Sequence, residues 1–328
     1  MIPYYYLETG SHDPFYNLAF EEYVLMNKTE GDYLILWQNE NTVVVGQNQN
    51  TEEEINRPFV ESHHINVVRR MTGGGAVYHD LGNLNYSFIT DAGEVSQLSI
   101  GRFTAPVVQA LKELGLKAEA SGRNDILVEG KKVSGTAQRL WKNRILHHGT
   151  LLFDSDPDMI CNALKVSMEK FQSKSVKSVA NRVGNIRDFL PVDMDMEEFW
   201  AFLRESLCGR VIDVKLTDEE LDKVRKIKLE KYDTWEWNYG KSPVFDVKNR
   251  KRFDGGTLEV RLSIKNGYIE DIAFFGDFLS RRPMTDIIAA LKECPLRRAD
   301  VEKCISPFEL EDYFGAISKE EIISLIFY

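Results

Sequence analysis

The feature that most constrains the fold of this chain is the segment of residues 69–80, RRMTGGGAVYHD. An apolar run at residues 65–68 leads into two arginines and three consecutive glycines, and the chain then returns at once to the apolar residues 76–78. A strand that ends in such a loop can bring its backbone close to a ligand, because glycine has no Cβ. Ordering each glycine costs about 1–2 kcal/mol of backbone entropy. The paired arginines and the packed segment after the loop therefore favour a phosphate-binding loop over a mobile surface loop.

Composition narrows the class of protein. The chain has 328 residues, of which 43% are hydrophobic and 28% charged, and this length suffices for two cores. The net charge of −10 argues against a general nucleic-acid binder, which needs a basic surface. The sequence has neither an apolar run of the ~18–20 residues that span a bilayer nor a signal peptide, and its cysteines lack zinc-ligand spacing. We expect a cytoplasmic protein of two domains, without nucleic acid or membrane as partner.

Local patterns predict the elements of the first part of the chain. Asp13 and Pro14 are a good N-cap and first residue for an amphipathic helix. Two β-rich runs at residues 33–37 and 42–46 flank a polar segment and predict an antiparallel hairpin. The alternating residues 84–90 predict a further strand. Helical spacing at residues 104–114, 156–165, 197–207 and 218–229 predicts helices that pack on the sheet.

A second motif, NDILVEGKKVSG at residues 124–135, predicts a tight hairpin with its turn at residues 129–130. Such a hairpin places residues 124–125 and 134–135 at the same end, with Lys132 between them. Spacing alone leaves Lys132 as a solvated surface charge. A strand pair formed by residues 135–140 and 145–153 is predicted to follow.

The last third of the chain reads as a separate small α+β module. The aromatic block WEWNYG at residues 235–240 predicts a core plug or a seam between domains, and a change in composition at residues 241–252 suggests a linker. Residues 257–264 alternate strictly, and an Asn-Gly turn leads into the partner strand at residues 268–275. Helices are predicted at residues 285–291, 298–304 and 319–326.

Taken together, the motifs resemble the lipoate–protein ligase A family of the two-domain bacterial type. The resemblance extends over nearly the whole chain and rests on residues 69–83, 124–139, 147–153, 178–186 and 235–240. It implies an α+β fold, with a catalytic domain of mixed β-sheets and flanking helices related to biotin–protein ligases, and a small α+β accessory domain. The boundaries expected are residues 1–243 for the catalytic domain, 244–252 for the linker and 253–328 for the accessory domain.

The resemblance also implies a reaction in two steps. The carboxylate of lipoate, or of octanoate as an alternative substrate, attacks the α-phosphate of ATP in the presence of Mg²⁺ and gives an acyl-adenylate and pyrophosphate. The ε-amine of a lysine on an acceptor then displaces AMP. The acceptors implied are lipoyl domains of 2-oxoacid dehydrogenase complexes and the H protein of glycine cleavage.

Site residues follow from the same resemblance. Lys132 matches the family's essential lysine and is the candidate catalytic residue that binds both the carboxylate and the phosphate. Arg70 is expected to flank the lipoyl or phosphate path, while Arg69 is the structural alternative that the sequence does not separate from it. Asp125 is expected to pair with Lys132 or to contact Mg²⁺. The remaining expected acyl-adenylate contacts are Gly73, Gly74, Gly75, Val77, Tyr78, Asn83, Ala137, His148 and Thr150.

Three other readings stay open at this point. A carrier-to-carrier octanoyl or lipoyl transferase that uses a thioester needs a cysteine near the pocket, and no cysteine falls in these motifs. A biotin ligase alternates arginine and glycine in its loop, and a non-catalytic acyl-carrier-binding protein would not need Lys132.

The pocket histidines, His79, His147 and His148, are expected to be hydrogen bonded rather than metal ligands. A basic docking patch for acidic lipoyl domains, or a solvated surface, is expected at Lys131, Arg139, Lys142 and Arg144.

Overall fold

The computed structural model of the protein describes residues 4–93, 100–122, 124–165, 182–208, 211–239, 247–265 and 267–327. Its largest sheet is mixed, because β1 runs parallel to both of its neighbours whereas the other neighbouring strands are antiparallel. In spatial order, its eight strands are β11 (Val211–Asp213), β1 (Tyr4–Glu8), β2 (Asp32–Trp37), β6 (Asn83–Asp91), β10 (Arg144–Leu152), β9 (Lys131–Trp141), β8 (Asp125–Val128) and β7 (Ala118–Ser121).

Helices cover both faces of this sheet. Successive side chains of its central strands point to opposite sides, and each side belongs to a different buried cluster. Leu34 and Leu36 of β2 belong to one buried cluster, while Ile35 and Trp37 belong to another. The helices of the catalytic part are α1 (Pro14–Asn27), α2 (Thr51–Glu54), α3 (Arg57–Ser62), α4 (Ile100–Glu113), α5 (Pro157–Ala163), α6 (Met196–Cys208), α7 (Asp218–Ile227) and α8 (Trp235–Asn238). A 3-10 turn at Ile186–Phe189 and a π-helical turn at Lys228–Tyr232 complete this part.

The hairpin predicted from residues 33–37 and 42–46 is wrong. The first run is β2 of the large sheet, and the second is β3 (Thr42–Val45) of a separate three-stranded sheet. In that sheet β3 lies between β4 (Asn66–Arg69), to which it is parallel, and β5 (Val77–His79). The polar segment between β2 and β3 is held on α1, because Asn17 Nδ2 donates to Gln38 O at 2.7 Å and to Asn39 Oδ1 at 2.9 Å. It therefore carries the chain from one sheet to the other instead of turning back.

The second predicted hairpin is confirmed. β8 and β9 pair antiparallel with Asp125 opposite Gly135, and the turn has positive φ at Glu129 (49°) and Gly130 (77°), as a type I′ turn requires. The predicted N-cap is also confirmed, because Asp13 Oδ1 accepts from the backbone N–H of Phe15 at 2.9 Å.

The C-terminal module is a three-stranded antiparallel sheet covered by helices. Its strands are β12 (Val247–Phe253), β13 (Gly256–Lys265) and β14 (Tyr268–Gly276), and its helices are α9 (Thr285–Leu291), α10 (Arg298–Ile305), α11 (Leu310–Phe314) and α12 (Lys319–Ile326). The predicted strand pair and three predicted helices are confirmed, whereas α11 was not predicted. Residues 247–252, expected as linker, are instead part of β12, because their backbone pairs with β13. Residues 178–181, 240–246 and Asn266 of the predicted motifs lie outside the described residues.

Within the part of the chain that the structure describes, every helix is too short or too polar to cross a bilayer.

Candidate active site

The glycine-rich loop is shaped from within by Arg70. Its guanidinium is buried and donates through Nη2 to Gly73 O at 2.7 Å and to Gly75 O at 2.8 Å, and through Nη1 to Val44 O at 3.1 Å. Burial lowers the pKa of Arg70 to about 10, which leaves the side chain protonated at neutral pH. Arg70 therefore fixes the carbonyl groups at both ends of the three-glycine loop.

Arg69 has a different role, although it is adjacent in sequence. Its Nη1 donates to Gly46 O at 2.8 Å and to Gln49 O at 2.6 Å, and its Nε donates to Trp237 O at 2.9 Å. These bonds tie the end of β4 to the aromatic block in α8. The structure thus separates the two arginines, because Arg70 lines the narrow cavity described below and Arg69 is not among the residues that line it.

The glycine loop also packs against the C-terminal module. Gly74 N donates to Phe278 O at 3.1 Å, and a Cβ added to Gly73 would lie 2.6 Å from Ser280 N. Asn48 joins this contact through its Nδ2, which donates to Ser280 Oγ at 2.8 Å. The loop needs glycine at residue 73 because the backbone of the second module approaches it closely.

Lys132 lies on β9, two residues after the turn of the confirmed hairpin. Its Nζ is 2.7 Å from Asp125 Oδ1, and its backbone N–H donates to Arg182 O at 2.7 Å. Gly184 N in turn donates to Lys132 O at 3.0 Å. The predicted partnership of Asp125 with Lys132 is therefore present, and the lysine is held by bonds on both sides of its backbone.

A narrow cavity with a volume of about 120 Å³ runs from Lys132 into the catalytic domain. Apolar side chains line much of it: Leu18, Trp37, Val44, Val77 and Ala137. The polar side chains on its wall include Arg70, His79, Asn85 and His148. Its small volume and its lining suit an acyl chain whose polar head stays at the Lys132 end.

A buried network holds the wall of this acyl cavity. His148 bonds through Nε2 with Thr72 Oγ1 at 2.8 Å and through Nδ1 with Glu21 Oε1 at 2.9 Å. Ser87 Oγ donates to the same Glu21 oxygen at 2.6 Å and accepts from Trp37 Nε1 at 2.9 Å. Because Glu21 accepts from two sides, it fixes the positions of both the histidine and the tryptophan.

His79 lies on the same wall, and one of its two ring nitrogens has no hydrogen-bond partner among the described residues. Asn39 Nδ2 lies 3.1 Å from His79 Nδ1, and burial lowers the pKa of His79 to about 3, so that the ring is neutral. Because a neutral Nδ1 facing this donor accepts, the proton lies on Nε2, which has no hydrogen-bond partner among the described residues. His147 is similar: its pKa is lowered to about 3 by burial, and its Nδ1 lies 3.2 Å from Gln138 Nε2.

A larger cavity, with a volume of about 730 Å³, opens on the other side of Lys132. The catalytic domain contributes Tyr78 and Thr150 to its wall, and burial raises the pKa of Tyr78 to about 12. The C-terminal module contributes the opposite wall, which includes Lys248, Arg250 and Glu259. Six residues line both cavities: Gly75, Ala76, Val77, Lys132, Gly135 and Thr150. Lys132 therefore stands where the narrow cavity joins the wide one.

Most residues expected at the site line one or both cavities, namely Arg70, Gly74, Gly75, Val77, Tyr78, Lys132, Ala137, His148 and Thr150. Gly73, Asn83 and Asp125 are not among the lining residues. Asn83, expected as an acyl-adenylate contact, is buried and donates to Asn85 Oδ1 at 3.0 Å. The sequence interpretation missed Leu18, Trp37 and Asn85, although Trp37 ends an apolar strand directly before the polar crossing segment.

The basic docking patch expected on β9 and β10 is wrong in two of its four residues. Arg139 is buried and donates to Gln47 Oε1 at 2.7 Å, and Arg144 is buried and donates to Asp91 Oδ1 at 2.8 Å. Both guanidinium groups donate hydrogen bonds to other residues of the protein and do not form an exposed patch.

Comparison with known proteins gives the class and then the family. The family model described as "Lipoyl protein ligase A/B catalytic domain" matches residues 13–208, and the model described as "Bacterial lipoate protein ligase C-terminus" matches residues 242–326. The fold thus defines a two-part lipoyl ligase. The chain belongs to the lipoate–protein ligase family, which confirms the resemblance and the fold class predicted from the motifs.

Several relatives extend over almost the full length of the chain. Lipoate–protein ligase 1 of Staphylococcus aureus is 44% identical over 317 residues, which cover 96% of this chain and 97% of the relative. Lipoate-protein ligase LplJ of Bacillus subtilis is 44% identical over 322 residues, with the same coverage. These relatives confirm the prediction of a ligase and favour it over the carrier-to-carrier transferase.

Solved structures agree with the fold. A lipoate-protein ligase A bound with ATP is 29% identical, has a TM-score of 0.63, and covers 73% of this chain and 99% of its own. The bipartite lipoate protein ligase of Thermoplasma acidophilum, described together with its E2 lipoyl domain, is 32% identical with a TM-score of 0.66 and covers 75% of this chain and 100% of its own. P. falciparum LipL1 in complex with lipoate has a TM-score of 0.79 at 24% identity, covering 94% of this chain and 95% of its own, and shows the shared fold.

Proposed function

We propose that the protein activates free lipoate with ATP and transfers the lipoyl group to a lysine of acceptor lipoyl domains. The observation that carries this proposal is the position of Lys132 at the junction of a narrow, largely apolar cavity and a wide cavity. The narrow cavity takes the acyl chain and the wide one takes the nucleotide. The two reacting groups, a carboxylate and the α-phosphate, then meet beside one cation.

In the first step, a carboxylate oxygen of lipoate attacks the α-phosphorus. The bond between this phosphorus and the oxygen that bridges to the β-phosphate breaks, and pyrophosphate leaves with that electron pair. Both reactants are anions, so a fixed cation lowers the repulsion between them and stabilises the charge that develops. Lys132 supplies that cation, and Asp125 holds its Nζ in place at 2.7 Å.

Other residues act through position rather than proton transfer. Arg70 fixes the glycine loop that forms one wall of the junction. Val77 and Tyr78 line the wide cavity next to Gly75 and form the wall for the adenine. The carboxylate is already ionised, so no strong base is needed in this step.

In the second step, the ε-amine of the acceptor lysine attacks the acyl carbonyl, an amide forms, and AMP leaves. The amine loses a proton in this step, and the departing phosphate, Asp125 or water takes it. Gly75 and Thr150 keep the acyl-adenylate in the same junction, because both line the two cavities.

Mg²⁺ enters this proposal together with the nucleotide. Among the described residues, no three His, Cys, Asp or Glu side chains form a cluster that could hold a metal ion, and Asp125 is already paired with Lys132. Mg²⁺ commonly binds through phosphate oxygens, waters and only one or two carboxylates. The residues therefore fit an ion carried by the phosphates, whose chemistry is to offset phosphate charge, and not a resident metal centre.

The acceptors in this proposal are lipoyl domains of 2-oxoacid dehydrogenase complexes and the H protein of glycine cleavage, and the place of the reaction is the cytoplasm. A division into a catalytic part, residues 1–243, and an accessory part supports the proposal, because the wide cavity takes its walls from both. The accessory module must then move away when the acceptor docks.

The test is lipoate-dependent exchange of radiolabelled pyrophosphate into ATP, followed by transfer to a lipoyl domain. Exchange that requires lipoate supports adenylation, because only a reversible lipoyl-AMP step returns label to ATP. Absence of exchange, with transfer of octanoyl or lipoyl groups from a loaded carrier in the absence of ATP, would contradict the ligase and support the transferase.

A further inference from the structure

A cationic cluster faces the wide cavity from the C-terminal module. Glu259 of β13 is buried, and its carboxylate has three cations around it. Arg261 Nε donates to Oε1 at 2.5 Å, Lys248 Nζ lies 3.3 Å from Oε1, and Arg250 Nη1 lies 3.8 Å from Oε2. One carboxylate thus holds three cationic side chains together on this wall.

The strand register explains why these charges meet. Side chains two residues apart on a strand share a face, so Lys248 and Arg250 of β12 point to the same side. Arg250 lies opposite Glu259 on β13, and Lys248 lies opposite Arg261. Lys248, Arg250 and Glu259 all line the wide cavity. Lys251, which lies opposite Leu258, is on the other face of β12 and does not line it.

Charged side chains of both signs line the wide cavity. Lys132 is offset by Asp125 at 2.7 Å, and Asp277 on the same wall as the cluster lies 3.5 Å from Arg252. The remaining charged residues on the cavity wall are Glu54 and Lys165, which are of opposite sign. Two of the four cationic side chains that line the wide cavity, Lys248 and Arg250, lie on the wall formed by the C-terminal module.

We propose that Lys248 and Arg250 bind the β- and γ-phosphates of ATP and hold pyrophosphate as it leaves. The inference rests on the proposed function, because the α-phosphate must lie at Lys132, where the two cavities join. The remaining phosphates then extend into the wide cavity, whose opposite wall carries the cationic cluster. Planar guanidinium and compact ammonium groups are both well suited to phosphate oxygens.

This assignment gives the C-terminal module a chemical role in the first step only. Lipoyl-AMP no longer carries the β- and γ-phosphates, so the second step does not need Lys248 or Arg250. The module can leave the site after adenylation without loss of contacts to the intermediate's phosphate.

The variants Lys248→Gln and Arg250→Gln, and the pair together, test the inference in the full-length protein. We expect each single change to lower kcat/KM for ATP in the exchange reaction about tenfold, because each removes a charge-assisted contact. Binding of pyrophosphate alone, measured by calorimetry, should weaken by a similar factor. Transfer from supplied lipoyl-AMP to a lipoyl domain should stay within about twofold of the unchanged protein.

Matched controls separate this effect from folding and from failure of the proposed function. Lys251→Gln removes the same charge from the other face of the same strand and should leave all three measurements unchanged. Lys248→Arg and Arg250→Lys keep the charge and should restore most of the exchange. Unchanged pyrophosphate binding and exchange in the double variant would overturn the inference, whereas absence of lipoate-dependent exchange in the unchanged protein would overturn the proposed function instead.

Discussion

Replacing Gly73 with alanine should separate the glycine loop from the C-terminal module. The added Cβ would lie 2.6 Å from Ser280 N and 2.8 Å from Phe278 O, which are backbone atoms and not the ends of flexible side chains. To reach an ordinary contact of 3.4 Å, the two backbones must move apart by about 0.8 Å. The hydrogen bond from Gly74 N to Phe278 O, now 3.1 Å long, would then be lost.

The cost follows from these two effects. Overpacking of this kind costs about 1–3 kcal/mol, and loss of one backbone hydrogen bond costs about 0.5–1.5 kcal/mol. If the closed arrangement is needed for adenylation, a loss of about 2 kcal/mol in its stability lowers the exchange rate by roughly 30-fold. Transfer from supplied lipoyl-AMP should change little, because the closed arrangement is not needed once pyrophosphate has left.

The comparison variant for the contact is Gly75→Ala on the same loop. A Cβ at this position would have one neighbour, Asp277 Cβ at 3.9 Å, which is an ordinary contact. In differential scanning calorimetry we expect Gly73→Ala to unfold at a clearly lower temperature than the unchanged protein, and Gly75→Ala to unfold within about a degree of it. Equal melting temperatures and equal exchange rates for Gly73→Ala and the unchanged protein would refute the reasoning.

Four further predictions concern the catalytic domain. Lys132→Ala should lower pyrophosphate exchange by about 100- to 1,000-fold while thermal unfolding changes little, and near-normal exchange would refute its role. Ala137→Leu should fill part of the acyl cavity and raise KM for lipoate while KM for ATP stays the same in steady-state kinetics; an equal rise in both would point to general distortion. Burial lowers the pKa of His79 and of His147 to about 3. Below pH 6.5 both histidines are protonated in the unfolded chain, whereas in the native state they stay neutral down to about pH 3. The free energy of unfolding should therefore decrease by about 1.4 kcal/mol per histidine for each unit by which the pH is lowered. Urea unfolding between pH 7 and pH 5, followed by tryptophan fluorescence, should show this slope, and His147→Asn should remove one histidine's share of it. Cys161 lines the wide cavity, and Cys161→Ala should keep both adenylation and transfer in the same assays, because the ligase needs no thioester; complete loss of transfer would support a cysteine-dependent transferase.

Signals that act over a few residues were reliable in this chain. The Asp13 cap, the hairpin of β8 and β9 and three of the four described helices of the C-terminal module were predicted from neighbouring residues, because caps, turns and periodicity are local properties. Residues 42–46 are also predicted to form a strand, and this is confirmed, but the predicted pairing of this strand with residues 33–37 is wrong. Two adjacent β-rich runs look alike whether they pair or enter different sheets, and here the side chain of Asn17 on α1 decides between them.

The same difference between local signals and long-range contacts applies to individual polar and charged side chains. The sequence placed Arg139 and Arg144 on a surface because arginine is mostly exposed, yet both are buried and hydrogen bonded to distant residues. Asn83 was expected among the acyl-adenylate contacts; it is buried and bonds to Asn85, two residues along the same strand. The positions of the two arginines depend on contacts with residues that are far away in sequence.

The sequence by itself determined the family, the lysine at residue 132 and the loop of three glycines, because these residue types carry the chemistry wherever the fold places them. Only the tertiary structure decided that Lys132 stands between two cavities, and that Arg70 rather than Arg69 faces one of them. It also decided that Lys248 and Arg250, which read as part of a linker, form a wall of the wide cavity. The physical reason is that a cavity is bounded by strands and loops brought together by packing, and no local pattern encodes which of them will meet.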